Sequence, residues 1–225
     1  MMHILPVYKH IVNNRLKHTY LSFDDEGNLI IKSPKVSQDY IEKLLLKKSS
    51  WINRSKEKIM QKKGKALDFS KESILYLYGK PYPLVLQTYT KKRTKLVFEE
   101  TQFTLYYSSY DEAVFQKHID TFYKEKAKEC IPDLVNYWAS VMQLTYNKCS
   151  FRKTRRQWGS CSRNNNLSFN TMMMKLPQDI IEYIVVHELA HIVHKHHQKS
   201  FWSLVEKHLP DYKQRIAVLK HYATH

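Results

Sequence analysis

The chain has 225 residues, a length that suits one large domain or two small ones. Lys and Arg number 37 against 21 Asp and Glu, and the formal net charge of +16 favours contact with nucleic acid or another polyanion. No apolar run approaches the roughly 18–20 residues needed to cross a bilayer, and the N-terminus lacks the pattern of a secretory signal. Three unclustered cysteines indicate neither a disulfide framework nor a cysteine-based zinc site. We therefore expect a cytoplasmic protein that makes no membrane contact.

Residues 1–110 are predicted to form mainly strands, with one helix among them. Segments 18–23 and 28–32 flank a short turn, which is typical of a hairpin. Ser37 is a predicted cap for a helix that extends to about residue 63. Its basic second half, 47–65, is a candidate surface for nucleic acid, although a solvated helix face is the more common explanation. Four segments rich in β-branched and aromatic residues predict a small antiparallel sheet: 73–79, 83–89, 94–100 and 102–108.

From residue 111 onward the pattern changes to helices followed by short strands. Apolar spacing of three and four predicts helices over 112–131 and 132–144, with Pro132 in the first turn of the second. Two short strands are expected over 145–153 and 157–162. A turn, the segment 167–176 and a long helix follow them. The predicted fold class is α+β. We expect a β-rich domain with a basic helix over 1–110 and a helical domain with a short antiparallel sheet over 111–225.

The helix that begins at Pro177 carries the residues with the clearest chemistry. It is apolar on nearly every face, so the sequence predicts that it is buried. His187 and His191 are four residues apart and therefore lie on one face, where they can share a metal ion. Neutral imidazoles suit one Zn²⁺. Glu188, rotated by about 100° on the helix, can flank that ion and take a proton from a water that it binds.

The third ligand is argued from helix geometry. His194 lies on the same face as His187, but a rise of about 10.5 Å over seven residues is too large for three rings to meet one zinc. If the chain turns after about His194, then His197 becomes the preferred ligand and His196 the second choice. A histidine in the left-handed conformation could form that turn. Glu206, on the next predicted helix, is a more remote option.

Two blocks of sequence resemble the YgjP-like zinc metallopeptidases, relatives of the SprT-like and WLM minimal zincins. They are RRQWGSCS (155–162) and IEYIVVHELAHIVHKHHQKSFW (181–202), joined by LSFNTMMMKLP. Weaker similarity extends to WINR (51–54) and LYGKPYPL (77–84). The resemblance implies a minimal zincin-like catalytic domain that hydrolyses peptide bonds. It also implies that His187, His191 and His197 bind zinc, with His196 in a place where the family has Asn, and that Glu188 is the base.

The WGSC segment is predicted to lie over the metal cleft, where an edge strand could pair with an extended peptide. Arg156, Trp158 and Ser160 are therefore candidates for substrate contact, while core packing is an equal explanation for Trp158. Arg156, His194 and Tyr212 are candidates for stabilising an oxyanion.

Two other functions are compatible with the sequence. The charge and the basic segment 47–65 permit a nucleic-acid-associated protease of the SprT-like kind. A basic nucleic-acid-binding module with a structural zinc and no hydrolytic activity is the third possibility. The oligomeric state is left open by the sequence.

Overall fold

The computed structural model of the chain describes residues 6–24, 27–61, 67–69, 73–222 and 224. The chain forms two compact units, residues 1–65 and 66–225. Helices and strands are both abundant, so the predicted α+β class is confirmed. Within the described ranges, none of the helices is long and apolar enough to span a membrane.

The first unit contains a three-stranded sheet and one long helix: β1 Tyr8–Val12, β2 Tyr20–Phe23, β3 Leu29–Ser33 and α1 Gln38–Gln61. The sheet order is β1-β3-β2, with β1 parallel and β2 antiparallel to the central strand. Its core is formed by Leu29 and Ile31 of β3 together with Ile41, Leu45 and Ile52 of α1.

The predicted hairpin of the first unit is confirmed by the antiparallel pairing of β2 with β3. Residues 25 and 26 of its turn lie outside the described residues. The Ser37 hydroxyl accepts a hydrogen bond from the Tyr40 amide at 3.2 Å, so Ser37 caps α1 as expected. The predicted end of this helix near residue 63, and residues 62–65 of the basic segment, also lie outside the described residues.

The second unit begins with a four-stranded sheet: β4 Ser73–Leu77, β5 Lys80–Thr88, β6 Lys95–Phe98 and β7 Phe103–Tyr107. The order is β4-β5-β7-β6, and β5 pairs with β7 in parallel. The expectation of a purely antiparallel sheet therefore missed one pair. The reason is topological, because β6 occupies the edge and the chain returns to place β7 between β5 and β6.

A single helix, α2, extends from Glu112 to Met142. The two helices predicted on either side of Pro132 are thus one, and the proline lies inside it. Proline removes one backbone hydrogen bond, but Ile131 and Val135 continue the buried face on both sides of it. This face shares one hydrophobic core with residues of β4, β5 and β7. The boundary predicted between residues 110 and 111 consequently falls inside the second compact unit.

The rest of the second unit forms a short sheet and three helices: β8 Lys148–Arg152, β9 Gly159–Cys161, β10 Asn166–Asn170, α3 Gln178–Val193, α4 Lys199–His208 and α5 Tyr212–Leu219. The order is β8-β10-β9, with β8 parallel and β9 antiparallel to β10. Strand β10 ends at Asn170, because a 3-10 helix, Thr171–Lys175, follows it. Its three methionines are buried in the core.

Helix α3 is buried on nearly all sides, as its composition predicted. Ile180, Val185, Val186 and Leu189 are each fully buried. Helix α3 packs against α2, α4 and α5, and β9 lies along it. A largely buried helix of the second unit therefore carries His187, Glu188 and His191.

Candidate metal centre

Three histidine side chains converge at the C-terminal end of α3. The His187 and His191 rings are one helical turn apart, with their centroids separated by 4.9 Å. The Nε2 atom of His197 lies 3.1 Å from Nε2 of His187 and 3.1 Å from Nε2 of His191. The potential ligand atoms of all three residues lie within 4.8 Å of one another. These are the three residues that the sequence predicted as metal ligands.

The chain turns as expected after His194, but by a different backbone conformation. Helix α3 ends at Val193, and His194 has extended backbone angles of φ −122° and ψ 101°. The expectation of a left-handed histidine is wrong, because none of the described residues after Asn165 has a positive φ. The extended backbone at His194 directs the chain back so that His197 faces the helix it has just left.

Hydrogen bonds to the far side of two imidazoles orient their rings. The Nδ1 of His191 lies 2.9 Å from the carbonyl oxygen of His194. Because a carbonyl only accepts, Nδ1 carries the proton and the Nε2 lone pair faces the other two rings. The Tyr183 hydroxyl lies 3.2 Å from His187 Nδ1. The same turn that places His197 therefore also selects the tautomer of His191.

Burial keeps the helix-borne imidazoles neutral. It lowers the pKa of His187 to about 3, and the neighbouring His191 and His197 add to the effect. The pKa of His191 is also lowered, chiefly by burial. Neutral imidazole is the form that binds metal ions. Both rings are therefore in the ligand form at neutral pH.

The ring of Phe201 lies against all three imidazoles. This residue is fully buried near the start of α4 and stacks on His191 at a centroid distance of 4.6 Å. It meets His187 and His197 edge-on, at 4.9 and 4.8 Å. The next residue, Trp202, donates its indole N–H to the His197 carbonyl at 3.0 Å. Helix α4 thus supplies an apolar surface that supports the three rings and a hydrogen bond that holds the turn at His197.

Glu188 lies beside the histidines, with only 5% of its surface exposed. Burial raises the pKa of its carboxyl to about 8. A Cβ atom added to Gly159 of β9 would lie 2.6 Å from both Cγ and Oε1 of Glu188. Real Cβ atoms essentially never approach other atoms so closely, so β9 needs glycine at this position. The glycine of the WGSC block, Gly159, therefore allows β9 to pack directly against the Glu188 side chain.

Strand β9 lies at the edge of its sheet and forms one wall of a cleft of about 690 Å³. The histidines, Glu188 and the end of α3 form the other wall. The lining residues are Gln157, Gly159, Ser160, Cys161, Arg163, His187, Glu188, His191, Lys195 and His197.

Of the residues predicted to contact substrate, Ser160 lines this cleft, and its hydroxyl accepts a hydrogen bond from Arg152 at 3.4 Å. Arg156 is exposed in the loop before β9, and Trp158 is half-buried and packs against the core. Neither contributes to the described lining of the cleft. The core-packing explanation for Trp158 is therefore the one that its position favours.

The proposed oxyanion partners lie elsewhere too. His194 contacts Ser200 at 3.5 Å, and the buried Tyr212 ring stacks on Trp202 at 5.3 Å. The two alternative third ligands lie outside the histidine cluster. The His196 ring accepts a hydrogen bond from the Gln198 amide, and Glu206 pairs with Lys213 at 3.8 Å.

Comparison with known proteins identifies the family. The profile described as the YgjP-like metallopeptidase domain matches residues 17–222. This chain belongs to the YgjP-like family. The predicted resemblance is confirmed, and membership supports a metal-dependent peptidase that acts on proteins or peptides.

Two solved structures are similar to parts of this YgjP-like chain. The metallopeptidase zymogen abylysin of Pyrococcus abyssi is 22% identical, with a TM-score of 0.36, and the match covers 41% of this chain and 98% of abylysin. The zymogen jannalysin of Methanocaldococcus jannaschii is 19% identical, with a TM-score of 0.34, over 39% and 93% of the two chains. No curated protein matches this chain.

Sequence reasoning missed several residues of this site. Phe201 and Tyr183 were hidden among ordinary core positions, and their approach to the histidines depends on tertiary packing. Lys195 was not among the predicted site residues. It donates hydrogen bonds to the Ser162 carbonyl and to Asn165 Oδ1, each at 2.9 Å, and lies 3.4 Å from Cys161 Sγ. The scarcity of glycine, four in 225 residues, was the available signal for Gly159.

Proposed function

We propose that this protein is a zinc metallopeptidase in which His187, His191 and His197 hold one Zn²⁺ and Glu188 is the general base. The observation that carries the proposal is the convergence of three imidazole Nε2 atoms beside a buried carboxylate. The edge strand that completes the cleft supports a peptide as the substrate.

The donor set fits zinc. Bonds of about 2.0–2.1 Å in tetrahedral geometry separate two ligand nitrogens by about 3.3 Å, and two of the Nε2 pairs here are 3.1 Å apart. Three neutral imidazoles are a known catalytic ligand set for zinc, and three protein ligands leave a fourth position for water or substrate. The carbonyl of His194 and the ring of Phe201 fix the orientation of His191 before a metal arrives.

When bound, the zinc supplies Lewis acidity that polarises the substrate carbonyl and makes water more acidic. Glu188 takes the proton of the attacking water at its carboxylate and then transfers it to the leaving amine. Burial raises the pKa of Glu188 in the metal-free chain, and a zinc ion bound beside it would lower that pKa and favour the carboxylate that accepts the proton. The free edge of β9 holds the peptide extended across the cleft through backbone hydrogen bonds.

Metal analysis tests the ligand assignment. We expect one zinc per chain in the purified protein and in His196→Ala, and loss of zinc in His197→Ala. Histidine 196 is a matched control, because it is the same residue type one position earlier and lies outside the cluster. Loss of zinc from the His196 variant alone would overturn the assignment.

Replacement of the base tests the chemistry. Glu188→Gln keeps the size of the side chain but cannot accept the proton, so we expect peptide hydrolysis to fall by about 10²–10⁴-fold while zinc remains bound. An unchanged rate would instead favour the alternative of a non-enzymatic binding module with a structural zinc.

A nucleic-acid-associated protease is the second candidate. It is favoured by the exposed side chains of Lys47, Lys48 and Arg54 around the exposed Trp51 on α1. Such a surface would bind nucleic acid with an affinity that falls steeply as salt is added. Binding that is independent of salt would contradict it. A cytoplasmic location is part of the proposal and is supported by the three free cysteines, Cys130, Cys149 and Cys161.

A further inference from the structure

The wall of the cleft that faces α3 is built from a segment without acidic residues. Between Asp133 and Asp179 the sequence contains no Asp or Glu but seven Lys and Arg. This stretch includes β8, β9 and β10 and the loops that join them. This segment therefore has seven positively charged residues and no carboxylate of its own.

The cations of this segment differ in their printed partners. Lys153 forms an ion pair with Asp120 at 2.8 Å. Among the described residues, Arg152 donates a hydrogen bond to the Ser160 hydroxyl at 3.4 Å and forms no ion pair. The exposed side chain of Arg163 has no ion pair with any residue in the part of the chain that the structure describes. Positive charge thus remains available at the mouth of the cleft.

Two cations line the cleft itself. Arg163 follows β9 by two residues, and Lys195 reaches across from the end of α3. The Lys195 ammonium donates hydrogen bonds to two oxygen atoms, the Ser162 carbonyl and the Asn165 side-chain amide. Both groups are neutral, so they do not compensate the positive charge of Lys195. The one carboxylate among the lining residues is Glu188, which is buried and assigned to the chemistry.

The faces of β9 show where a substrate would meet these cations. Gly159 faces Glu188, and Cys161 faces Lys195, so both point toward α3. Ser160 points the other way, toward Arg152. A peptide paired with β9 alternates its side chains between the same two faces. Its side chains would therefore meet Lys195 on one face, Arg152 on the other, and Arg163 near the end of the strand.

We propose that the cleft selects peptide substrates that carry acidic side chains within a few residues of the scissile bond, with Arg163 as the principal residue of this specificity. The proposal rests on the proposed peptidase function, because it assumes that a peptide lies along β9. Lys195 and Arg152 contribute the same sign of charge from the two faces. Rejection of basic substrates follows from like-charge repulsion in the same place.

This proposal can be tested with three fluorogenic peptides. They differ only at the positions flanking the cleaved bond, which hold Glu, Gln or Lys. For the zinc-loaded wild type we expect kcat/KM to be highest for the Glu peptide, by about fivefold over Gln for each exposed charge pair, and lowest for Lys. Added salt should shrink the difference. Arg163→Gln should weaken the preference, and Arg163→Glu should weaken it further, because Lys195 and Arg152 remain.

The control is Lys207→Gln, which removes one positive charge from the exposed face of α4 outside the cleft lining and should keep the wild-type order. Equal kcat/KM for the Glu and Gln peptides, or an unchanged ratio of kcat/KM between the Glu and Lys peptides in Arg163→Glu, would overturn the proposal. If no peptide is cleaved, the proposed peptidase function fails, and fluorescence anisotropy of the same peptides on Glu188→Gln decides the charge preference separately. Equal binding of the Glu and Lys peptides would then reject it.

Discussion

Addition of a single methyl group to β9, in Gly159→Ala, is expected to disable the site without removing its metal ligands. The new Cβ would lie 2.6 Å from Cγ and Oε1 of Glu188 and 2.8 Å from Cδ. Carbon atoms in good contact are about 3.5–4.0 Å apart. The strand and the carboxylate must therefore separate by about 1 Å.

The Glu188 side chain is the part that yields most easily. Gly159 is paired with Phe169 in the short sheet, and the backbone of α3 is held in the core. A misplacement of about 1 Å in a catalytic group costs about 100-fold in rate. We therefore expect kcat to fall by about 100-fold, with KM and zinc content close to wild type. Overpacking should lower the free energy of unfolding by about 1–3 kcal/mol.

The assay is steady-state hydrolysis with zinc analysis of the same samples. Ser168→Ala, on the neighbouring strand β10, is the control, because it removes a buried hydroxyl that has no hydrogen-bond partner among the described residues. A double-mutant cycle with Glu188→Asp identifies the cause. The shorter side chain withdraws the atoms that the methyl group would strike, so Gly159→Ala should cost less than about tenfold in that background. The reasoning is refuted if Gly159→Ala retains wild-type kcat, or if its cost is the same in both backgrounds.

Three further changes test the supports of the site. Phe201→Ala should weaken zinc binding by about tenfold or more in a chelator competition and destabilise the protein by about 3–5 kcal/mol, with Phe201→Leu intermediate. In metal-free protein, Glu188→Gln should be more stable than wild type by about 3 kcal/mol at pH 7 and equal to it below pH 4.5, because burial raises the folded pKa of Glu188 from 4.5 to about 8. Exposed Glu206→Gln is its control in urea denaturation, and a gain that is independent of pH would contradict the account. Burial lowers the pKa of Lys175 from 10.5 to about 8, so wild-type stability should gain about 2 kcal/mol relative to Lys175→Met between pH 8 and pH 10. A constant difference across that range would show that burial of the charge is not the cause.

The parts of the site that could be predicted from sequence are those fixed by local geometry. His187 and His191 must share a face because a helix repeats every 3.6 residues, and the same arithmetic excluded His194. The choice of His197 required only that the chain turn. The conformation of that turn could not be predicted, because an extended His194 is stabilised by its own contacts with Ala190 and His191.

The contacts that failed prediction are distant in sequence. The approach of Gly159 to Glu188 depends on how β9 packs against α3. The spacing of apolar residues along the sequence contains no information about the relative position of these two elements. The parallel pairing of β5 with β7 is likewise a choice of topology. Pro132 inside α2 shows the same effect within a helix, since tertiary burial of Ile131 and Val135 overrides the local signal for a break.

These two classes of contact correspond to two walls of the cleft. One segment, from His187 to Trp202, supplies the three imidazoles, the proposed base, the apolar support and the hydrogen bond that orients His191. The chemistry therefore depends on a single helix, a turn and the start of the next helix. The facing wall, β9 with its adjoining loops, contributes a glycine that makes room for Glu188 and the cations that border the peptide path. Because that wall holds none of the proposed ligands, its charges can change without loss of zinc, and substrate preference can vary independently of catalysis.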